Sequence, residues 1–93
     1  GVKIFPEVVE RKLADNIELP FFVYGIPDKV LGEKLVLVVE GEERQLREFK
    51  LNQTSLKNLD KFEVPKEILY VSKILRNNGK YLREKTIKTL IIS

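Results

Sequence analysis

Ninety-three residues, 43% apolar and 33% charged, describe one small soluble domain able to bury a modest core. Neither cysteine nor histidine occurs, which excludes disulfides, thiol chemistry, zinc sites and any Ser-His or Cys-His nucleophile; no metal site is expected. No apolar run approaches the ~20 residues of a membrane span and no signal-peptide pattern opens the chain, so a cytoplasmic location is expected.

Methionine is missing even at position 1, so the sequence reads as a processed chain or a piece cut from a longer one; Gly1 is a native residue or a tag scar. The net charge of +3 hides an asymmetry. Residues 1–60 carry nine basic against eleven acidic side chains, residues 61–93 eight against three. A basic end suits a phosphate-bearing partner: a nucleotide, a cofactor or nucleic acid.

Val2 to Phe5 is a short β-prone run. Pro6 follows at a tolerated first helical position, and Val9 and Leu13, with Val8 beside them, predict a helix over 6–15. Glu7 and Glu10 early and Arg11 and Lys12 late complement its dipole, and Asn16 stops it. Phe21 to Ile26 is aromatic and β-branched between prolines and predicts a strand. Gly25, Pro27, Asp28 and Gly32 read as turn chemistry. Leu35 to Val39 is continuously apolar, which predicts a central strand covered on both faces, ended by Gly41.

The next stretch, ERQLREFK, fits either a sheet edge or a helical turn. Leu56, Leu59 and Phe62 favour a short helix capped by Thr54 or Ser55. Beyond Pro65 a strand places Ile68, Tyr70 and Ser72 on one face and Leu69, Val71 and Lys73 on the other. Leu82, Ile87 and Leu90–Ile91 share one side of a terminal helix. The predicted order is β-α-β-β-(α)-β-α, a single α+β unit with a small central sheet flanked by helices.

Between that strand and that helix stands the most informative stretch. Asn77, Asn78 and Gly79 accept the positive φ that a sharp reversal requires, and Lys80 emerges directly from it. A lysine held by a short turn can be aimed, whereas most lysines beside such turns are solvated. Arg76, Arg83 and Lys85 either steer polyphosphates or form a solvated face.

Three blocks carry a resemblance over almost the whole chain. Gly1-Val2-Lys3-Ile4-Phe5-Pro6-Glu7-Val8-Val9-Glu10 is similar to Gly-x-x-Ile-x-Pro-x-Glu-Ile-Glu. Tyr24-Gly25-Ile26-Pro27-Asp28 through Leu31-Gly32-Glu33 is similar to Gly-x-Pro-Asp-x-x-x-Gly-Glu. Val64-Pro65-Lys66 through Asn78-Gly79-Lys80-Tyr81-Leu82-Arg83 is similar to Val-Pro-Lys followed by Pro-Arg-Thr-x-x-Gly-Lys-Ile-x-Arg. Each is weak alone. In this order and spacing they resemble the C-terminal domain of the adenylate-forming acyl-CoA synthetase superfamily. Two departures stand out: Val8 replaces a glutamate, and Ile74-Leu75-Arg76 replaces Pro-Arg-Thr.

The resemblance implies that residues 1–93 are the mobile C-terminal domain of an ATP-dependent carboxylic acid–CoA ligase. The large N-terminal adenylation domain would bind ATP, Mg and the acid, and this fragment alone would be inactive. Lys80 would be the catalytic lysine, reaching the carboxylate and α-phosphate during adenylation, with Asn77, Asn78 and Gly79 as the turn that positions it. A positioned ammonium in a water-poor cleft eases the meeting of two anions. Gly1, Val2 and Lys3 would line the path of the CoA thiol, Lys3 facing a CoA phosphate or staying solvated. The GVKIFPE and FEVPKEI wording is similar to the 2-succinylbenzoate–CoA ligases of menaquinone biosynthesis. The alternative is a stand-alone basic nucleic-acid-binding module, against which stands the lack of interleaved aromatics or an RNA-motif signature. A scaffolding role is the third option. The acid, the acceptor thiol (free CoA or a carrier protein), the hinge and the oligomeric state are not legible here.

Overall fold

A computed structural model describes residues 4–30 and 32–92, with side chains through residue 90. Gly1, Val2, Lys3, Leu31 and the side chain of Ile91, all used in the sequence reading, lie outside the described residues. Among the described residues four α-helices and five strands follow in order: α1 (Pro6–Leu13), β1 (Phe21–Asp28), β2 (Gly32–Glu40), α2 (Glu43–Glu48), α3 (Gln53–Leu56), β3 (Glu67–Val71), β4 (Arg76–Asn77), β5 (Lys80–Tyr81) and α4 (Arg83–Ile92). The expected α+β class is observed. The main sheet runs β1-β2-β3, with β1 antiparallel and β3 parallel to the central β2, and β4-β5 forms a separate ribbon.

Strand β2 explains this arrangement. Its five apolar residues, Leu35 to Val39, are all buried, and their alternation feeds two cores. Leu35, Leu37 and Val39 pack with Val23 of β1 and with Val9, Leu13 and Ile17 of the N-terminal helical segment. Val36 and Val38 pack with Phe22, Ile74 and Ile87. A run that is apolar at every position thus needs a cover on each face, α1 on one and α4 with the Ile74 segment on the other.

Helix α1 begins at Pro6, where a missing N–H costs nothing, and two N–H groups, of Val8 and Val9, donate to the Phe5 carbonyl. It stops two residues short of the expected end, tightening into a 3-10 turn over Ala14–Asn16. The expected first strand is not formed in the described part of its run: Ile4 and Phe5 are irregular, and Ile4 packs against the first core.

Further corrections concern turns. Gly25, Pro27 and Asp28 lie inside β1, paired with Leu35, Glu33 and Gly32. Pro27 is accommodated because β1 is an edge strand. The Gly25 α-carbon leaves room for Glu33, whose Cδ would lie 2.6 Å from an added Cβ. Asp28 does shape the hairpin, its Oδ2 accepting from the Val30 N–H, and Gly32 has φ +83°. ERQLREFK resolves as helix α2, closed by a reciprocal capping box between Glu42 and Gln45. Helix α3 is capped by Asn52 rather than Thr54 or Ser55: Asn52 Oδ1 accepts from the Ser55 N–H at 2.8 Å. That helix ends at Leu56, so Leu59 reaches the core from a loop and Phe62 is exposed. β3 ends at Val71, leaving Ser72 in a bend.

Candidate functional site

Strands β4 and β5 pair through Arg76↔Tyr81 and Asn77↔Lys80 only. The two residues between them, Asn78 and Gly79, have φ of 53° and 82°. Two successive positive φ values make the tightest hairpin turn, whose twist matches its strands, and Asn-Gly is the dipeptide that accepts it. Asn77, Asn78, Gly79 and Lys80 therefore form one hairpin, and Lys80 is the first residue out of the reversal. Its side chain is exposed and makes no hydrogen bond or ion pair among the described residues.

The neighbouring cations are placed differently. Arg76 Nη1 and Nη2 donate to the two carboxylate oxygens of Glu40, at 2.7 and 3.2 Å, and Nη1 also donates to the Ile74 carbonyl at 2.8 Å. Glu40 Oε1 accepts from the Ile74 N–H as well, at 2.7 Å. The Arg76 guanidinium holds the Glu40 carboxyl below its ordinary range, overcoming the opposing effect of burial, with help from the Ile74 N–H. Glu40 in turn raises the Arg76 pKa. On the other side of the ribbon, Arg83 Nη2 donates to Glu10 of α1 at 3.1 and 3.2 Å. Glu10 also accepts from the Val23 N–H of β1 at 3.1 Å, which covers part of the sheet edge.

Tyr81 lies between the two arginines, its ring centroid 4.9 Å from Arg76 Cζ and 5.8 Å from Arg83 Cζ. Arg76 and Arg83 are each paired with a carboxylate, Glu40 and Glu10, and so clamp the ribbon to the body of the domain. Lys85 is exposed and unpaired among the described residues. Below the ribbon, Ile74 is fully buried, and Thr86 Oγ1 accepts from the Leu75 N–H while donating to the Leu82 carbonyl. Sequence reasoning missed Glu40 and Thr86. Glu40 carries no signal beyond being an acid at a strand end, and Thr86 reads as an ordinary polar helix residue.

A second feature lies at the opposite end of β2. A cleft of about 550 Å³ is lined by Ile4, Gly32, Glu33, Lys34, Leu35, Lys61, Phe62 and Lys66. Lys34 is engaged with Glu67 at 3.1 Å, and Lys61 Nζ stands 5.0 Å from the half-exposed Phe62 ring. Lys66 is exposed, its backbone N–H bonded to the Leu35 carbonyl. Apolar walls and three lysines can receive an anion that carries an aromatic or alkyl part. The loop that supplies Lys61 and Phe62 is fixed to α1 by Glu63, whose carboxylate takes two bonds from Lys12 at 2.7 and 2.9 Å. The expected thiol-path residues Gly1, Val2 and Lys3 fall outside the described residues; Ile4, next in the chain, borders this cleft. No group of three or more metal-ligating side chains occurs among the described residues, and no helix is long and apolar enough to cross a membrane.

No family model matches the chain and no curated protein matches it. Solved structures do. An acyl-CoA synthetase (AMP-forming)/AMP-acid ligase II-like protein from Dyadobacter fermentans is 28% identical, with a TM-score of 0.79 over 97% of this chain and 27% of its own. A fatty acyl-CoA synthetase from Mycobacterium tuberculosis is 21% identical, with a TM-score of 0.69 over 91% of this chain and 17% of its own. ATP-bound MatB from Rhodopseudomonas palustris is 19% identical, with a TM-score of 0.67 over 94% and 18%. The chain spans about a quarter or less of the length of each. These neighbours include AMP-forming acyl-CoA synthetases, and this chain has the fold of the C-terminal domain of adenylate-forming enzymes.

Proposed function

We propose that this chain is the C-terminal domain of an AMP-forming carboxylic acid–CoA ligase and that Lys80 is its adenylation lysine. The observation that carries this reading is the Lys80 ribbon. Its two flanking arginines are neutralised by Glu40 and Glu10, while Lys80 at the tip has no side-chain partner among the described residues. A charge left free between two arginines that are both paired is one available to a substrate. In adenylation the carboxylate attacks the α-phosphate of ATP and pyrophosphate leaves. An ammonium bridging carboxylate and phosphate relieves the repulsion of the two anions and stabilises the charge that develops between them. One such donor is worth about 10²–10³ in rate.

The second half of the reaction, thiolysis of the acyl-adenylate by CoA, draws on the other end of β2. There the cleft bearing Lys34, Lys61, Lys66 and Phe62 complements the phosphates and adenine of CoA. ATP and Mg would be bound mainly by the larger N-terminal domain. The resemblance of GVKIFPE and FEVPKEI to 2-succinylbenzoate–CoA ligases extends the proposal to a ligase of menaquinone biosynthesis working in the cytoplasm, with the acid itself bound outside this domain. The nucleic-acid reading loses two of its cations, Arg76 and Arg83, to internal ion pairs.

The test is an assay of the full-length parent with ATP, Mg, CoA and a panel of carboxylic acids that includes 2-succinylbenzoate. Acid-dependent release of AMP and pyrophosphate is expected. Steep, salt-dependent oligonucleotide binding with no acid-dependent turnover would reverse the reading.

A further inference from the structure

We propose that Arg76 is a positioning residue for Lys80, setting the aim of its ammonium through the pair with Glu40; this rests on Lys80 being the adenylation lysine. Two cross-strand pairs, with one further backbone bond from the Leu82 N–H to the Leu75 carbonyl at 2.8 Å, make a ribbon too short to hold an orientation by itself. The ribbon therefore takes its direction from where it is tied to the body. Alternation along strands puts Arg76 and Tyr81 on one face and Asn77 and Lys80 on the other. The first face is the tied one. Arg76 lies one pair from the turn and makes three hydrogen bonds, two to Glu40 at the end of β2 and one to the Ile74 carbonyl. Holding that face against the body presents the opposite face, with Lys80, outward.

Glu40 strengthens the tie by also accepting the Ile74 N–H, so the strand and its arginine are fixed by one carboxylate. A planar guanidinium bound at both oxygens resists rotation in a way that a single ammonium cannot. Lys80 makes no side-chain bond among the described residues that could orient it independently.

The experiment uses the full-length parent with Arg76→Ala, Glu40→Gln, Lys80→Ala and the Arg76→Ala/Lys80→Ala double variant. Carboxylate-dependent exchange of pyrophosphate into ATP and conversion of a supplied acyl-adenylate to thioester are measured separately. Arg76→Ala and Glu40→Gln are each expected to lower kcat for exchange by about tenfold to a hundredfold. KM for ATP and acid should move by less than about threefold, and thioester formation by less than about twofold. Adding Arg76→Ala to Lys80→Ala should cost nothing more, because Arg76 acts only through the lysine. An equal fall in both half-reactions would make Arg76 a merely structural residue and overturn the proposal. A rise in KM for ATP, or a further loss in the double variant, would overturn it in favour of direct phosphate contact. Normal exchange in both Arg76→Ala and Glu40→Gln, with loss in Lys80→Ala, defeats the positioning role alone. Normal exchange in Lys80→Ala defeats the lysine reading and this proposal with it.

Discussion

Arg83 at the start of α4 and Glu10 in α1 meet at 3.1 Å, although 73 positions separate them in the chain. The same carboxylate accepts the Val23 N–H on the outer edge of β1, so one side chain joins two helices and the sheet. Glu10→Ala should destabilise the domain by about 1–3 kcal/mol, because both the Val23 N–H and the Arg83 guanidinium lose their partner. Arg83→Ala should cost less, since its head is already partly in water. Urea unfolding of the two variants tests that order.

The Glu40–Arg76 pair gives the domain an acid-sensitive element. The Glu40 pKa is lowered on folding from an ordinary value of 4.5, chiefly by the Arg76 hydrogen bond. A depressed folded pKa means that this stability is present above 4.5 and lost as pH falls through the lower folded value. Glu40→Gln should therefore melt at lower temperature than the parent near neutral pH. The gap should close on the acid side; a gap of constant size from neutral to strongly acid pH would contradict the assignment.

The turn residues should respond unequally. Gly79→Ala forces a side chain to φ +82° and should cost about 1–2 kcal/mol, whereas Asn78→Gly, at φ +53°, should be nearly neutral. Gly25→Ala meets only the flexible end of Glu33 and should cost under about 1 kcal/mol. Chemical denaturation of the three variants checks the ranking.

Ile74 is fully buried with Phe22, Val36 and Val38 directly before the Lys80 ribbon. Ile74→Ala should lose about 2–5 kcal/mol, and Ile74→Val about 0.5–1.5 kcal/mol. Thermal melts of the two variants measure both steps.

Much of this was legible in sequence where one local rule decides the outcome. The unbroken run Leu35–Val39 can only be a strand covered twice, and Asn78-Gly79 can only be a reversal with positive φ. Gly25 and Pro27 misled because glycine and proline usually signal turns. Here Glu33 lies across Gly25, and an edge strand tolerates Pro27. The clamps were illegible for another reason. Glu40 and Arg76 are 36 positions apart and Glu10 and Arg83 are 73, and no periodicity marks charges that meet only after the sheet has formed.

If Lys80 serves adenylation and not thiolysis, its removal separates the two half-reactions. The most direct test is Lys80→Ala in the full-length parent, following pyrophosphate–ATP exchange and thioester formation from supplied acyl-adenylate side by side. Exchange is expected to fall by about 10²–10³ while thioester formation is kept. Exchange at the parent's rate would contradict this role and return Lys80 to the solvated surface.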